Sequence, residues 1–236
     1  MKVMTFNIQH AKNYLEGHID IPLMAKTIKD LGADIVALQE VYGMGETAVF
    51  NGQAEKIAEI LGYHCYFAEA IYINNHGPYG NAILSKYEIT EAKTVKVPPA
   101  EHKPGRYFED RCLGICNINT PEGPLSVFAI HFGLQPEEAV LCAETVCNCY
   151  NSDIPTVLMG DFNLEPDSEY LDPIKNILVD TDIYFKGENN LTFPSDKPEI
   201  KIDYIFVSND ISVNDVTIPD VIAADHRVIV ADISLK

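Results

Sequence analysis

Apolar residues bunch in short runs separated by amphipathic stretches. VMTFNI, DIVALQE, HCYFAEAIY and NAILSK read as strands, and two segments with helical spacing, IDIPLMAKTIKDLG and TAVFNGQAEKIAEILG, lie among them. In the first segment Leu23, Ile28 and Leu31 share a helical face, and Gly32 is a suitable stop. The second ends the same way at Gly62. CLGICNIN and LSVFAIHF follow as strands joined by the turn TPEGP, then a helix from about Pro136 to Tyr150 leads into PTVLMGDFN. A shorter helix is expected near SEYLDPIKNIL, and the last third is again strand-rich, with KIDYIFVS, ISVNDVTI and HRVIVADISL. Strands interleaved with helices, plus an adjacent pair of antiparallel character, predict mixed sheets covered by helices in one domain spanning residues 1–236.

Within PTVLMGDFN the run Thr156 to Met159 has the apolar character of a buried strand, and Gly160 is expected to mark the point where the chain leaves the core. Alternation then sends Asp161 and Asn163 to one side while Phe162 turns back to the interior. Asp and Asn also start loops through local Asx turns, so this segment alone leaves both readings open.

Polar residues recur at strand ends elsewhere. Asn7 closes VMTFN, Glu40 closes DIVALQE and His131 closes LSVFAIH, while Asp203 opens DYIFVS and Asp225 with His226 precedes RVIVADISL. Ligand sites in open α/β sheets assemble at such ends. Carboxylates and amide oxygens without thiolate partners form the hard-oxygen set that suits Mg²⁺ or Mn²⁺. Two imidazoles beside them suit proton transfer or stabilisation of an anionic transition state.

Composition narrows the partners. With 47% hydrophobic and 22% charged residues, the chain of 236 residues is ordinary for a globular protein with a sizeable core. The formal net charge is −18 and the arginines are Arg106, Arg111 and Arg227, so the basic footprint of a polyanion binder is missing at this level. No apolar run approaches the roughly 18 residues needed to span a bilayer. The start, MKVMTFNIQH, reads as a first strand and not as a signal peptide, which predicts a cytoplasmic protein. The six cysteines lack paired CxxC modules and are expected to be buried, reduced thiols. A monomer is expected.

Taken together and in order, TFNIQ, ALQEV, YGNAILSK, FAIHFG, GDFNLEPDS, IDYIFVS and ADHRVIVADI resemble the endonuclease/exonuclease/phosphatase superfamily. That group includes deoxyribonuclease I-like nucleases, abasic-site endonucleases, neutral sphingomyelinases and inositol polyphosphate 5-phosphatases. The resemblance implies a four-layer α/β sandwich of two packed mixed β-sheets flanked by helices. It further implies that Glu40, assisted by Asn7 and Asp225, holds Mg²⁺ or Mn²⁺, that Asp161 positions or deprotonates the attacking water, and that Asn163 donates to the phosphate. His226, oriented by Asp203, is expected to contact a phosphate oxygen or take part in proton transfer. His131 occupies the second-histidine position of the deoxyribonuclease-like and sphingomyelinase-like branches. Asn81 steadies His131, faces the substrate, or is a strand-start turn residue. Arg111 meets a phosphate oxygen or forms a surface ion pair with Glu109 or Asp110. His10, His18, His64, His76 and His102 belong to no motif and are read as surface or loop residues. The expected activity is metal-dependent cleavage of a phosphate ester, foremost a small or lipid-like phosphodiester. A nuclease for short or single-stranded nucleic acid and a catalytically silent scaffold are the alternatives.

Overall fold

The computed structural model describes residues 1–45, 50–101 and 103–236. Among the described residues the strands form two six-stranded sheets. The first has the spatial order Ile211–Thr217 (β11), Ile229–Leu235 (β12), Lys2–Asn7 (β1), Ile35–Tyr42 (β2), Gly77–Ser85 (β4) and His64–Ile73 (β3). The second runs Ile89–Lys96 (β5), Cys112–Thr120 (β6), Gly123–His131 (β7), Thr156–Asp161 (β8), Asp203–Val207 (β10) and Val179–Asp180 (β9). Each sheet is mixed: β1 with β2 and β7 with β8 are parallel, and the remaining pairs are antiparallel.

Alternation along the strands builds three apolar layers. In β1, Met4 and Phe6 pack outward with Met24, Ala25, Ile28, Ala54 and Ile57, which belong to the helices Ile21–Leu31 (α1) and Gln53–Leu61 (α2). Val3 of the same strand joins Ile35, Ala37, Val127, Val157, Met159 and Ile205 between the sheets. The outer face of the second sheet, through Leu113, Phe128, Ile130, Leu158 and Phe206, packs on Pro136–Cys149 (α3) and Asp172–Lys175 (α4). The result is the four-layer α/β sandwich, with helices on both outer faces. No helix among the described residues is long and apolar enough to cross a membrane.

Local signals explain the helix boundaries. Asp20 caps α1 by accepting from the Leu23 N–H at 3.0 Å, Pro22 sits in the first turn, and Gly32 closes the helix at φ 70°. The α2 helix begins only after Gly52, later than the segment starting at Thr47 suggests, and residues 46–49 lie outside the described residues, as does His102. Two strands, β5 and β9, arise where no apolar run announces them. Gly160 does not release the chain from the core: β8 continues through it to Asp161, and both are buried. All six thiols are free, but only Cys112, Cys116 and Cys142 are buried, while Cys65, Cys147 and Cys149 are half-buried.

Candidate active site

Sheet register alone lines up three of the polar strand ends. His131 of β7 stands opposite Asp161 of β8, and Asp203 of β10 stands opposite the same residue from the other side. One row across three neighbouring strands therefore carries all three. The register depends on Gly160, because a Cβ there would lie 2.1 Å from the Ile130 carbonyl oxygen. Beyond Asp161, Phe162 turns back into the core against Phe132, with ring centroids 4.6 Å apart, and Asn163 takes a left-handed conformation at φ 50°. Its N–H donates to Asp161 Oδ1 at 2.9 Å, so the segment is an Asx turn as well as part of the polar cluster.

The first sheet supplies the facing half. Asn7 ends β1 on the side turned to the second sheet, and its amide nitrogen donates to Glu40 Oε1 at 3.2 Å and to Asp161 Oδ2 at 3.0 Å. Its oxygen accepts from the Gln9 N–H at 3.1 Å, so in this geometry Asn7 offers the cluster a donor. Glu40 lies in a bulge of β2, where the register with β4 shifts between Leu38 and Val41 and Glu40 adopts φ 54°. Two residues thus occupy one step of the pleat, which keeps Val41 in the outer core while Glu40 reaches Asn7 on the inter-sheet side. The Tyr79 phenol, buried beside Glu40, has its pKa raised by burial and by that carboxylate. His10 Nδ1 is 3.9 Å from Glu40 Oε2, and burial lowers its pKa.

His226 and Asp225 come from the loop before β12, which is tied down by Ser195 N–H donating to the Asp225 carbonyl at 2.7 Å. His226 packs on Phe193, with centroids 4.8 Å apart. Its Nδ1 is 2.9 Å from Asp203 Oδ2, and its Nε2 is 3.6 Å from Asp161 Oδ2. Burial opposes charge on this ring, but Asp203 and Asp161 outweigh it and raise its pKa to about 10. Asp161 is raised to about 7 by burial, against the attraction of His226 and with the repulsion of Asp203. Burial raises Asp225 to about 6, with His226 opposing and Glu40 reinforcing. The ligating atoms of Asp161, Asp203 and His226 lie within 4.8 Å of one another, close enough to hold an ion.

His131 has the opposite environment. Its Nδ1 is 3.2 Å from Arg111 Nη1 and its Nε2 is 3.1 Å from Asn163 Nδ2. Burial, then Arg111 and His226, hold its pKa well below the ordinary imidazole value. Arg111 is itself buried and pairs with Glu109 Oε1 at 2.8 Å. Asn81 stands opposite the β2 bulge; its Nδ2 donates to the Cys112 carbonyl at 3.0 Å, and it makes no hydrogen bond to His131. His131, Asp161, Asn163, Asp225, His226, Glu40 and Arg111 all line one cleft of about 490 Å³.

Motif reading missed the walls of that cleft. Tyr107 and Leu134, 59% and 57% exposed, line it with the half-buried Phe193 and Ile200 and the buried Tyr79. It also missed Lys201, which is buried, donates to the Asp203 carbonyl at 2.8 Å and lies 4.0 Å from the Tyr204 ring centroid. The only signal for Lys201 is a lysine inside an apolar strand-like run. A second groove of about 490 Å³, lined by Lys93, Asn117, Phe128 and Cys149, opens beside the C-terminal end of α3 and contains none of the clustered histidines.

Residues 4–226 match the model of the endonuclease/exonuclease/phosphatase family. The chain is 27% identical over 226 residues to the Escherichia coli K12 protein YbhP, covering 88% of this chain and 85% of that one. An endonuclease/exonuclease/phosphatase structure from Beutenbergia cavernae superposes with a TM-score of 0.77 at 25% identity, covering 100% of this chain and 71% of the other. A mannosyl-6-phosphatase from Bacteroides thetaiotaomicron shares the fold with a TM-score of 0.81 at 18% identity and full coverage of both chains. The chain belongs to the endonuclease/exonuclease/phosphatase family.

Proposed function

We propose that the protein is a divalent-metal-dependent hydrolase of phosphate esters, acting foremost on a small or lipid-like phosphodiester. The observation that carries this reading is the convergence on Asp161, whose carboxylate meets Asn7, His131, His226 and the Asn163 N–H. Its raised pKa suits a group that orients and accepts a proton from an attacking water near neutral pH. His226, made cationic by Asp203, faces a phosphoryl oxygen or the leaving oxygen. Asn163 and His131 donate to the phosphoryl group from the other side.

Glu40 and Asp225 are the residues suited to hold Mg²⁺ or Mn²⁺, with Asn7 fixing Glu40 in place. The donor set fits: these are hard carboxylate oxygens, and Asp225 Oδ1 is buried with no hydrogen-bonding partner. The Asp161, Asp203 and His226 group is better used for proton transfer, since Asp203 already engages Nδ1 of the imidazole. When bound, the cation supplies charge neutralisation for the phosphoryl and leaving oxygens.

Substrate size follows from charge. Arg111 is the sole lysine or arginine among the described residues that line the cleft, and Glu109 neutralises it. A polyanion finds little purchase there, whereas Tyr107, Leu134, Phe193 and Ile200 offer an apolar wall. The exposed Tyr107 favours, as a second reading, a nuclease that stacks one base of a short single strand.

Turnover of bis(p-nitrophenyl) phosphate, sphingomyelin, inositol phosphates, mannose 6-phosphate and plasmid DNA, each with Mg²⁺ or Mn²⁺, tests the proposal. Expected is chelator-sensitive cleavage of the small or lipid diesters ahead of the rest. Efficient plasmid nicking at physiological salt would reverse the order of the two readings, and silence across the panel would favour a scaffold.

A further inference from the structure

We infer that Arg111 is a positioning residue: it fixes His131 as a neutral imidazole with its proton on Nε2, pairing that N–H with the Asn163 amide as two donors for one anionic oxygen. The inference deepens the reading of Asn163 and His131 as phosphoryl donors and rests on it for its catalytic meaning.

Donor and acceptor identities decide the tautomer. A guanidinium has N–H donors and no acceptor. Arg111 Nη1 carries two hydrogens, and its two neighbours are Glu109 Oε1 at 2.8 Å and His131 Nδ1 at 3.2 Å. Nδ1 therefore accepts, and a neutral imidazole that accepts at Nδ1 carries its proton at Nε2. The other side of the ring is equally constrained. Asn163 Nδ2 lies 3.1 Å from the Phe132 carbonyl oxygen, which fixes the nitrogen there, since the amide oxygen would repel that carbonyl. The same Nδ2 is 3.1 Å from His131 Nε2. Two N–H groups consequently face each other, and neither is able to accept from the other. The nearest carboxylate, Asp161 Oδ2, is 3.5 Å from Nε2, too far for a good bond. A single phosphoryl oxygen between them would satisfy both.

The clamp behind the ring is anchored to helix α3. Glu138 in its first turn takes the Gln135 N–H at 3.1 Å and, through its other oxygen, the Glu109 N–H at 3.0 Å. Glu109 in turn holds the guanidinium. Arg111 thus commits both Nη1 hydrogens to Glu109 and the back of His131, while its Nε is buried without a partner. Through Nη1 it forms the Glu109 pair that the sequence offered as the alternative to a phosphate contact.

The test reads the tautomer directly. Long-range ¹H–¹⁵N spectra of ¹⁵N-histidine-labelled protein, with the His131 signal assigned by its loss in His131→Gln, should show the proton on Nε2 in the resting wild type. Arg111→Met should move His131 to the Nδ1–H form and let it accept from Asn163, with kcat falling by about 10²-fold, the scale for losing an oxyanion donor. Arg111→Lys should retain the Nε2–H form and recover part of the rate. Arg111→Met should cost nothing further when added to His131→Ala. An Nδ1–H wild type would overturn the inference without any variant. So would an unchanged tautomer in an inactive Arg111→Met, because Arg111 would then act on the substrate itself. Because the spectrum needs no substrate, a protein lacking phosphoesterase turnover would count against the proposed activity, while the tautomer would be decided separately.

Discussion

Two imidazoles flank one carboxylate at Asp161, and what lies behind each ring sets its charge. Asp203 backs His226 and favours the cation; Arg111 backs His131 and excludes it. In the proposed mechanism this divides proton transfer and hydrogen-bond donation between side chains of one type. Removal of the proton-handling half should be severe: Asp161→Asn and His226→Ala are each expected to lower kcat by about 10² to 10⁴ with circular dichroism unchanged. Near-normal turnover in either folded variant would remove it from the mechanism. Motifs located these residues, because GDFN and ADHR carry rare residue types at strand ends. They did not show that Asn7 presents nitrogen to the acids, nor that Arg111 stands behind His131. Those facts depend on which atom faces which neighbour across the gap between sheets, and linear spacing does not encode that.

At the level of elements, β8 is the member on which the row of His131, Asp161 and Asp203 depends. A methyl at position 160 would collide with the backbone of β7, a contact no rotamer change relieves. Gly160→Ala should therefore destabilise the fold by about 1–3 kcal/mol, measured by urea unfolding, the usual range for overpacking. An unaffected midpoint would show that the two strands separate more easily than their spacing implies. This glycine reads in sequence as an exit from the core, because close backbone approach and chain reversal use the same residue. The strand β5 escapes notice for a different reason. ITEAKTVK lies at a sheet edge with most of its side chains exposed, so pairing with β6 makes it a strand without an apolar pattern. The long alternating or apolar runs of β1, β2, β7 and β8 were legible because each is buried on both faces.

For the whole molecule, the cluster concentrates negative charge in a chain whose formal net charge is already −18. The buried groups have a calculable effect on stability. Asp161, raised from 3.8 to about 7, and His226, raised from 6.5 to about 10, bind more protons folded than unfolded. Their contributions are lost as pH rises through those folded values. His131 and His10, both lowered, act in the opposite sense, but only below about pH 6.5, where an unfolded imidazole takes up its proton. Chelated protein should accordingly lose thermal stability between pH 6.5 and 9, and Mn²⁺ should raise Tm more at pH 8.5 than at pH 6. A melting temperature that climbs over that interval in chelator would contradict the assigned environments. The apolar pattern made mixed sheets covered by helices legible and the family resemblance supplied the four layers, whereas the cleft walls at Tyr107 and Leu134 were not legible, since exposed apolar residues in loops follow no period. The amide of Asn7, which joins Glu40 of one sheet to Asp161 of the other, has a further meaning. An ammonium donor in that place would discharge the very field that attracts a divalent ion. Asparagine works as an uncharged rivet: it binds acid to acid across the seam and leaves their electrostatic appetite intact.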